Sequence, residues 1–457
     1  MKRFIAAILV LLLLFGGTPS VSANSAQTYW EGIDRAGVII TDGESPIVVE
    51  HELLTFDLQE FPDYHRYAED YPNKVTAQYS FHNPSDMTVS AKLLFPFGDK
   101  NWYYDPDNTL AEQYDILIDG EPVEKKIRHT LSYGGQFDLE QDLSLLSDTF
   151  ADDTFYSPEL PVTVYKFAIY GVDKDTYKNA TVAFDLPQGQ GDRRYNISNS
   201  RGGQLQDNGD IRVVAHFGKN EISFALYVFG EPLSVYPEFH FYKDGGAKDS
   251  ERISGSTRFS GKETMTFQEF ALSGWTEESG ISEIDWYNAI VADMNANSRT
   301  EHPVIYQLTN QSRLAENMMQ WYEYEITVGP GERIVNTVIA PIFPSINTRY
   351  NPTLYDYTYL LSPAQTWKSF GTLEIVVNTP YYIIESSLHG FEKTESGYAL
   401  TLDGLPDGEL TFTLCASENP KAPKSSALTS IFYVFVFIFA YIGHIFESIG
   451  DFFRNLF

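Results

Sequence analysis

Apolar and polar residues alternate with a period of two along most of this chain, the mark of strands with one buried face. Val75, Ala77, Tyr79 and Phe81 share one side of the stretch Lys74 to His82. Pro46 to Leu58, Met87 to Phe97, Tyr114 to Ile118 and Val123 to His129 read the same way. Asn83-Pro84-Ser85-Asp86 is a turn by composition, because proline fixes φ and Asn and Asp tolerate tight geometry. Asp119-Gly120 is a second turn signal, so 74–97 and 114–129 are both expected as hairpin-like pairs. Leu131 to Pro161 is acidic and irregular and reads as a long loop or a short helix packed on the sheets. Strands resume at Val162 to Tyr170, Ala180 to Leu186, Ile211 to Phe217, Glu221 to Phe229 and Thr264 to Leu272. Their spacing and Gly-rich connections suggest a sandwich.

The period then changes. Ile284, Tyr287, Ile290, Val291 and Met294 recur at helical spacing, and Ser282 with Asp285 supplies a capping-box-like start. Gln311 to Met319 is a possible second helix. From Trp321 the strand pattern returns, with a hairpin expected around Gly329-Pro330-Gly331 and short strands running to Cys415. Trp367 and Phe370, before Gly371, read as a structural corner. The predicted fold class is therefore mainly β. Two β-sandwich-like units, 24–274 and 321–417, flank a helical connector at 275–320.

The two ends add an expected topology. Met1 to Ala23 has a signal-peptide pattern: Lys2 and Arg3, an apolar core from Phe4 to Phe15, then small residues Val21-Ser22-Ala23. Ala427 to Phe446 contains no Lys, Arg, Asp or Glu, and about 20 helical residues cover about 30 Å, the thickness of a bilayer core. A C-terminal transmembrane helix is thus expected at 427–446, after a Pro/Lys linker at 418–426 and before a short amphipathic cytoplasmic tail at 447–457. The lysines Lys421 and Lys424 run against the positive-inside bias, but they do not outweigh the start signal. The expected location is a cell membrane crossed once, with the β body extracellular and the lipid bilayer as one partner.

Charge narrows the partners. Sixty-two acidic against 32 basic residues give a formal net charge of −30, which repels phosphates and argues against nucleic acid. The single cysteine, Cys415, cannot form an internal disulfide, so an exported body rests on its core. Thirty tyrosines suit half-buried strands first and extracellular recognition second.

The turn Asn83-Pro84-Ser85-Asp86, the strand ending in Phe95-Pro96-Phe97-Gly98, and Tyr114 to Val123 resemble the N-terminal β-sandwich of vault/inter-alpha-trypsin-type domains. They are also similar to bacterial exported proteins of that general shape. Relatives of that kind often carry a von Willebrand A domain with a DxSxS metal motif. The chain has no DxSxS, so their metal-dependent adhesion is not implied here.

Chemistry is otherwise sparse. There is no nucleophile elbow, zinc helix or P-loop. Asp99, Asn101, Asp105, Asp107 and Asn108 fall in one oxygen-rich loop, a candidate calcium site without EF-hand spacing, and Asp173 with Asp175 is a weaker one. No other cofactor is expected. The sequence points to a surface protein of structural, adhesive or assembly type, with another membrane or cell-surface protein as a candidate second partner. The alternative is a membrane-tethered hydrolase of envelope polymers, which requires a cleft with two carboxylates and flanking aromatics.

Overall fold

The computed structural model describes residues 29–30, 35–36, 38–40, 45–62, 73–99, 114–131, 146–173, 175–177, 180–186, 193–197, 200–206, 210–216, 223–243, 251–297, 304–305, 314 and 318–421. The chain is mainly β, and the described residues form five sheets and two α-helices. The expected signal peptide, the 427–446 membrane run and the 447–457 tail lie outside the described residues. Among the described residues no helix is long and apolar enough to cross a membrane.

The largest sheet has eight strands, in the order Glu392–Lys393, Gly397–Asp403, Phe370–Asn378, Val48–Asp57, Lys74–His82, Arg333–Pro341, Asp115–Ile118, Glu121–Pro122. All neighbours are antiparallel except one pair at the centre, where Phe370–Asn378 runs parallel to Val48–Asp57. Two sheets share its core. One carries Ser345–Asn347, Leu354–Leu360, Leu410–Cys415 and Tyr382–Ser386; the other carries Ile39–Ile40, Val89–Asp99, Met318–Val328 and Lys126–Leu131. Phe56 of the large sheet meets Phe412 at 5.1 Å and Tyr359 at 6.0 Å, and Phe81 stacks on Trp367 at 4.6 Å. Leu354–Leu360 shows how tyrosine is used: Tyr355, Tyr357 and Tyr359 alternate inward and are buried.

The expected division at residues 274 and 321 is not where the sheets divide. Strands before residue 131 and strands after residue 318 share sheets throughout: Val48–Asp57 with Phe370–Asn378, Lys74–His82 with Arg333–Pro341, and Val89–Asp99 with Met318–Val328. Between them, two further sheets enclose a second core. Ser256–Thr266, Pro161–Tyr170, Ser223–Phe229, Arg194–Ile197 and Val304–Ile305 form one; Ser200–Leu205, Ile211–His216, Thr181–Leu186 and His240–Tyr242 form the other. Phe167, Phe184 and Phe224 meet between them at 5.3 and 5.8 Å. The alternation states that a strand has a buried face, not which distant strand lies beside it.

The same limit explains three turns expected as hairpins. Lys74–His82 and Val89–Asp99, on either side of the Asn83 turn, belong to different sheets. So do Met318–Val328 and Arg333–Pro341 around Gly329-Pro330-Gly331, and Asp115–Ile118 and Lys126–Leu131. The first two turns, and the stretch 123–125 in the third case, are arches from one face of the sandwich to the other. Asn83, fully buried, ties the first two arches together: its amide donates to the carbonyls of Met87 at 2.7 Å, Val328 at 2.9 Å and Gly329 at 3.1 Å. Asp119 at φ 50° and Gly120 at φ 87° make the true two-residue hairpin, to Glu121–Pro122.

The helical connector is smaller than expected. Glu283–Asn297 is helical, and Ser282 Oγ accepts from the Asp285 N–H at 3.0 Å. Met318 and Met319, the end of the expected second helix, open a strand instead. Thr264 to Leu272 also departs from expectation: the strand ends at Thr266 and Phe267–Leu272 is helical. Thr266 caps it, accepting from Glu269 N–H, while the Glu269 carboxylate accepts from Thr266 N–H. The T-x-x-E signature at 266–269 was the available signal. Both helices and Tyr156 form a third apolar cluster with Leu131 and Met318, joining the two β bodies.

Candidate ligand-binding site

A concave site with aromatic and polar walls lies among the described residues: a cleft of about 480 Å³ lined by Phe61, Thr348, Tyr350, Asn351, Pro352, Thr353, Tyr355 and Tyr381. Three stretches of chain meet there. Phe61 follows the Val48–Asp57 strand, Tyr381 sits in the turn between Phe370–Asn378 and Tyr382–Ser386, and 348–353 connects Ser345–Asn347 to Leu354–Leu360. The Asn351–Pro352 peptide bond is cis.

The rings are mutually braced. Phe61 stacks on Tyr381 with centroids 3.8 Å apart and planes 8° apart, and Tyr355 meets both edge-on at 5.1 and 6.0 Å. The Tyr355 hydroxyl donates to the Phe61 carbonyl at 3.0 Å. Asn73, 1% exposed, positions the approach to Phe61. Its carbonyl oxygen accepts from Gln59 and Glu60 N–H at 2.9 and 3.1 Å, and its amide donates to the Glu60 carbonyl at 2.7 Å. On the other wall, Asn351 and Lys421 exchange backbone hydrogen bonds at 3.3 and 2.9 Å. None of the described lining residues is charged.

Elsewhere among the described residues, two carboxylates have no exposed surface at all, in opposite circumstances. Asp285 is fully enclosed and held by Arg128, whose Nε and Nη2 donate to it at 2.9–3.2 Å, and by the His129 N–H at 3.0 Å. Arg128 also reaches Glu323 at 2.7 Å, Asp148 at 3.1 Å and the Ser147 carbonyl at 2.8 Å. Lys92 and Lys126 complete the group, so three cations meet three anions. Glu52 is also fully enclosed, in the Val48–Asp57 strand, but neither carboxyl oxygen has a well-formed hydrogen bond. Burial pushes its carboxyl up to about 7, and the neighbouring Tyr79 hydroxyl offsets only part of that. The Tyr79 hydroxyl itself accepts from the Val38 N–H at 3.2 Å.

The residues singled out by sequence fall elsewhere. Of the calcium loop, Asn101, Asp105, Asp107 and Asn108 lie outside the described residues, as does the Asp99 side chain. Asp173 closes its own turn, accepting from Asp175 and Thr176 N–H at 3.2 Å and from the Thr176 hydroxyl at 2.5 Å. No group of three or more metal-ligating side chains occurs among the described residues. Trp367 is the structural corner expected, its indole donating to the Val38 carbonyl at 3.0 Å. The aromatic cleft was missed because its walls lie hundreds of residues apart. Its local signal, TRYNPTLY at 348–355, resembles an ordinary Pro-containing loop.

No protein-family model matches the chain, and no curated protein matches it. Among solved structures, the chain is similar to a crystal structure described as a "putative nutrient binding protein" from Legionella pneumophila subsp. pneumophila str. Philadelphia 1. The TM-score is 0.31 at 10% identity, over 85% of this chain and 72% of that one.

Proposed function

We propose that this chain is a non-enzymatic binding protein displayed on the outer face of a cell membrane. The observation that carries the binding reading is the make-up of the aromatic cleft. Its described walls offer ring edges, hydroxyls and an amide, but no carboxylate pair of the kind a glycan hydrolase uses. Such walls orient a ligand through ring faces and hydrogen bonds. The display reading is supported by the signal-peptide pattern of Met1 to Ala23 and the uncharged run Ala427 to Phe446. An acidic exterior keeps such a body soluble and repels nucleic acid.

Protease added to intact cells tests the display. The expected result is loss of the β body with a small apolar remnant retained by the membrane. A body that survives until the cells are lysed would overturn it.

A further inference from the structure

We propose that the aromatic cleft binds a neutral, hydroxyl-rich ring, a sugar, at the end of the body where the chain departs for the apolar run. The ligand class follows from the walls. Recognition of a phosphate, carboxylate or amine in a cleft calls for an opposing charge or a metal. The described lining provides Thr348, Asn351 and Thr353 beside Tyr350 and Tyr381, with Tyr355 bracing the wall behind them. Tyrosine combines an apolar face with a hydroxyl handle, which matches a pyranose with its C–H face and its rim of hydroxyls. The volume, about 480 Å³, lies within the range of small-molecule sites. The Phe61–Tyr381 stack, the Tyr355 hydroxyl bond and the Asn73 clamp fix the walls in advance, so little ordering is required on binding.

Position narrows the source. Asn351 in the cleft wall is bonded to Lys421, and Ala427 begins the apolar run six residues later. Six residues span at most about 22 Å even when fully extended. The cleft is therefore tethered close to where the run begins, and the ring it meets belongs either to the headgroup of a membrane glycolipid or to the innermost glycan of the envelope. This choice of source rests on the display reading above; the sugar assignment rests on the cleft alone.

The test uses the full chain in phosphatidylcholine nanodiscs, titrated calorimetrically with maltotriose and chitotriose. A second arm compares discs with and without a glucosyl diacylglycerol, read by cross-linking or by a shift in intrinsic fluorescence. Saturable binding with a Kd tighter than about 1 mM is expected in one arm or the other. The free-saccharide arm points to envelope glycan and the disc arm to glycolipid. Tyr350→Ala and Tyr381→Ala should each weaken that binding at least tenfold. Tyr381→Phe, which keeps the stack on Phe61, should fall between, and the thermal midpoint checks that each variant is folded. The proposal is overturned by the absence of saturable binding in both arms, by undiminished, wild-type affinity in both alanine variants, or by preference for a phosphorylated sugar over the neutral one. A body that resists protease on intact cells would remove the display reading and leave the sugar titration standing.

Discussion

Asp285 and Glu52 are both carboxylates with no exposed surface, yet the regions around them are built on opposite terms. At the joint between the two β bodies, Asp285 receives a guanidinium and a backbone N–H, and Arg128 in turn receives Glu323 and Asp148. In the sandwich core, Glu52 faces Tyr79 and Tyr359 and meets no cation among the described residues. The joint keeps its charges by pairing them. The core keeps its carboxyl by favouring the protonated form. The second arrangement makes stability depend on pH near neutrality.

The largest expected effect breaks the joint. Arg128→Ala leaves Asp285 and Glu323 buried, with no other cation on Asp285 among the described residues, and should cost about 3–5 kcal/mol in urea unfolding. A loss below about 1 kcal/mol would mean that water reaches the site and that the pairing matters little.

Next comes the core. The Glu52 carboxyl sits at about 7 in the folded chain against an ordinary 4.5, so folding is favoured by protonation. That contribution is complete below about pH 4.5 and is lost as pH rises through 7, a total of about 3 kcal/mol. Wild type should therefore lose stability between pH 5 and about 8, and Glu52→Gln should flatten that slope; equal slopes would refute the account. Glu50, Asp148 and Asp185 act in the opposite sense in a separate, acidic window. Arg333, Lys92 and Arg212 respectively hold them below their ordinary values, so their contribution is lost as pH falls through those lowered values.

The smallest effect sharpens the contrast. Lys166 and Glu263 are 2.6 Å apart, as close as any pair at the joint, but about half of each side chain is exposed. Lys166→Ala should change stability by no more than about 0.5 kcal/mol. Burial, rather than distance, separates it from Arg128.

Much of the fold could be read locally, and the part that could not has one cause. Alternation in Lys74–His82 reproduces the observed inward and outward faces, and Ser282 caps its helix as its spacing implies. Glu52 was legible as well. Leu58, Phe56 and Leu54 mark the inward phase of their strand, and Glu52 falls on it. The bulge between Val49 and His51 hides that phase from the residues before it. The destination of each turn was not legible. A turn written Asn-Pro-Ser-Asp serves a hairpin or an arch equally well, and only the opposing sheet decides which. The cleft shares that difficulty, since Phe61, Tyr350 and Tyr381 are brought together by strands that meet only in the finished sandwich.

The parallel pairing of Val48–Asp57 with Phe370–Asn378 has a consequence for the timing of biogenesis. The bond from the Trp367 indole to the Val38 carbonyl spans 329 positions. At roughly 5–20 residues per second, a ribosome needs on the order of 15–60 s to make that much chain. Until then the central strand of the largest sheet lacks one of its two neighbours. A polypeptide that cannot close its main sheet early must stay free of aggregation while most of it has already been made.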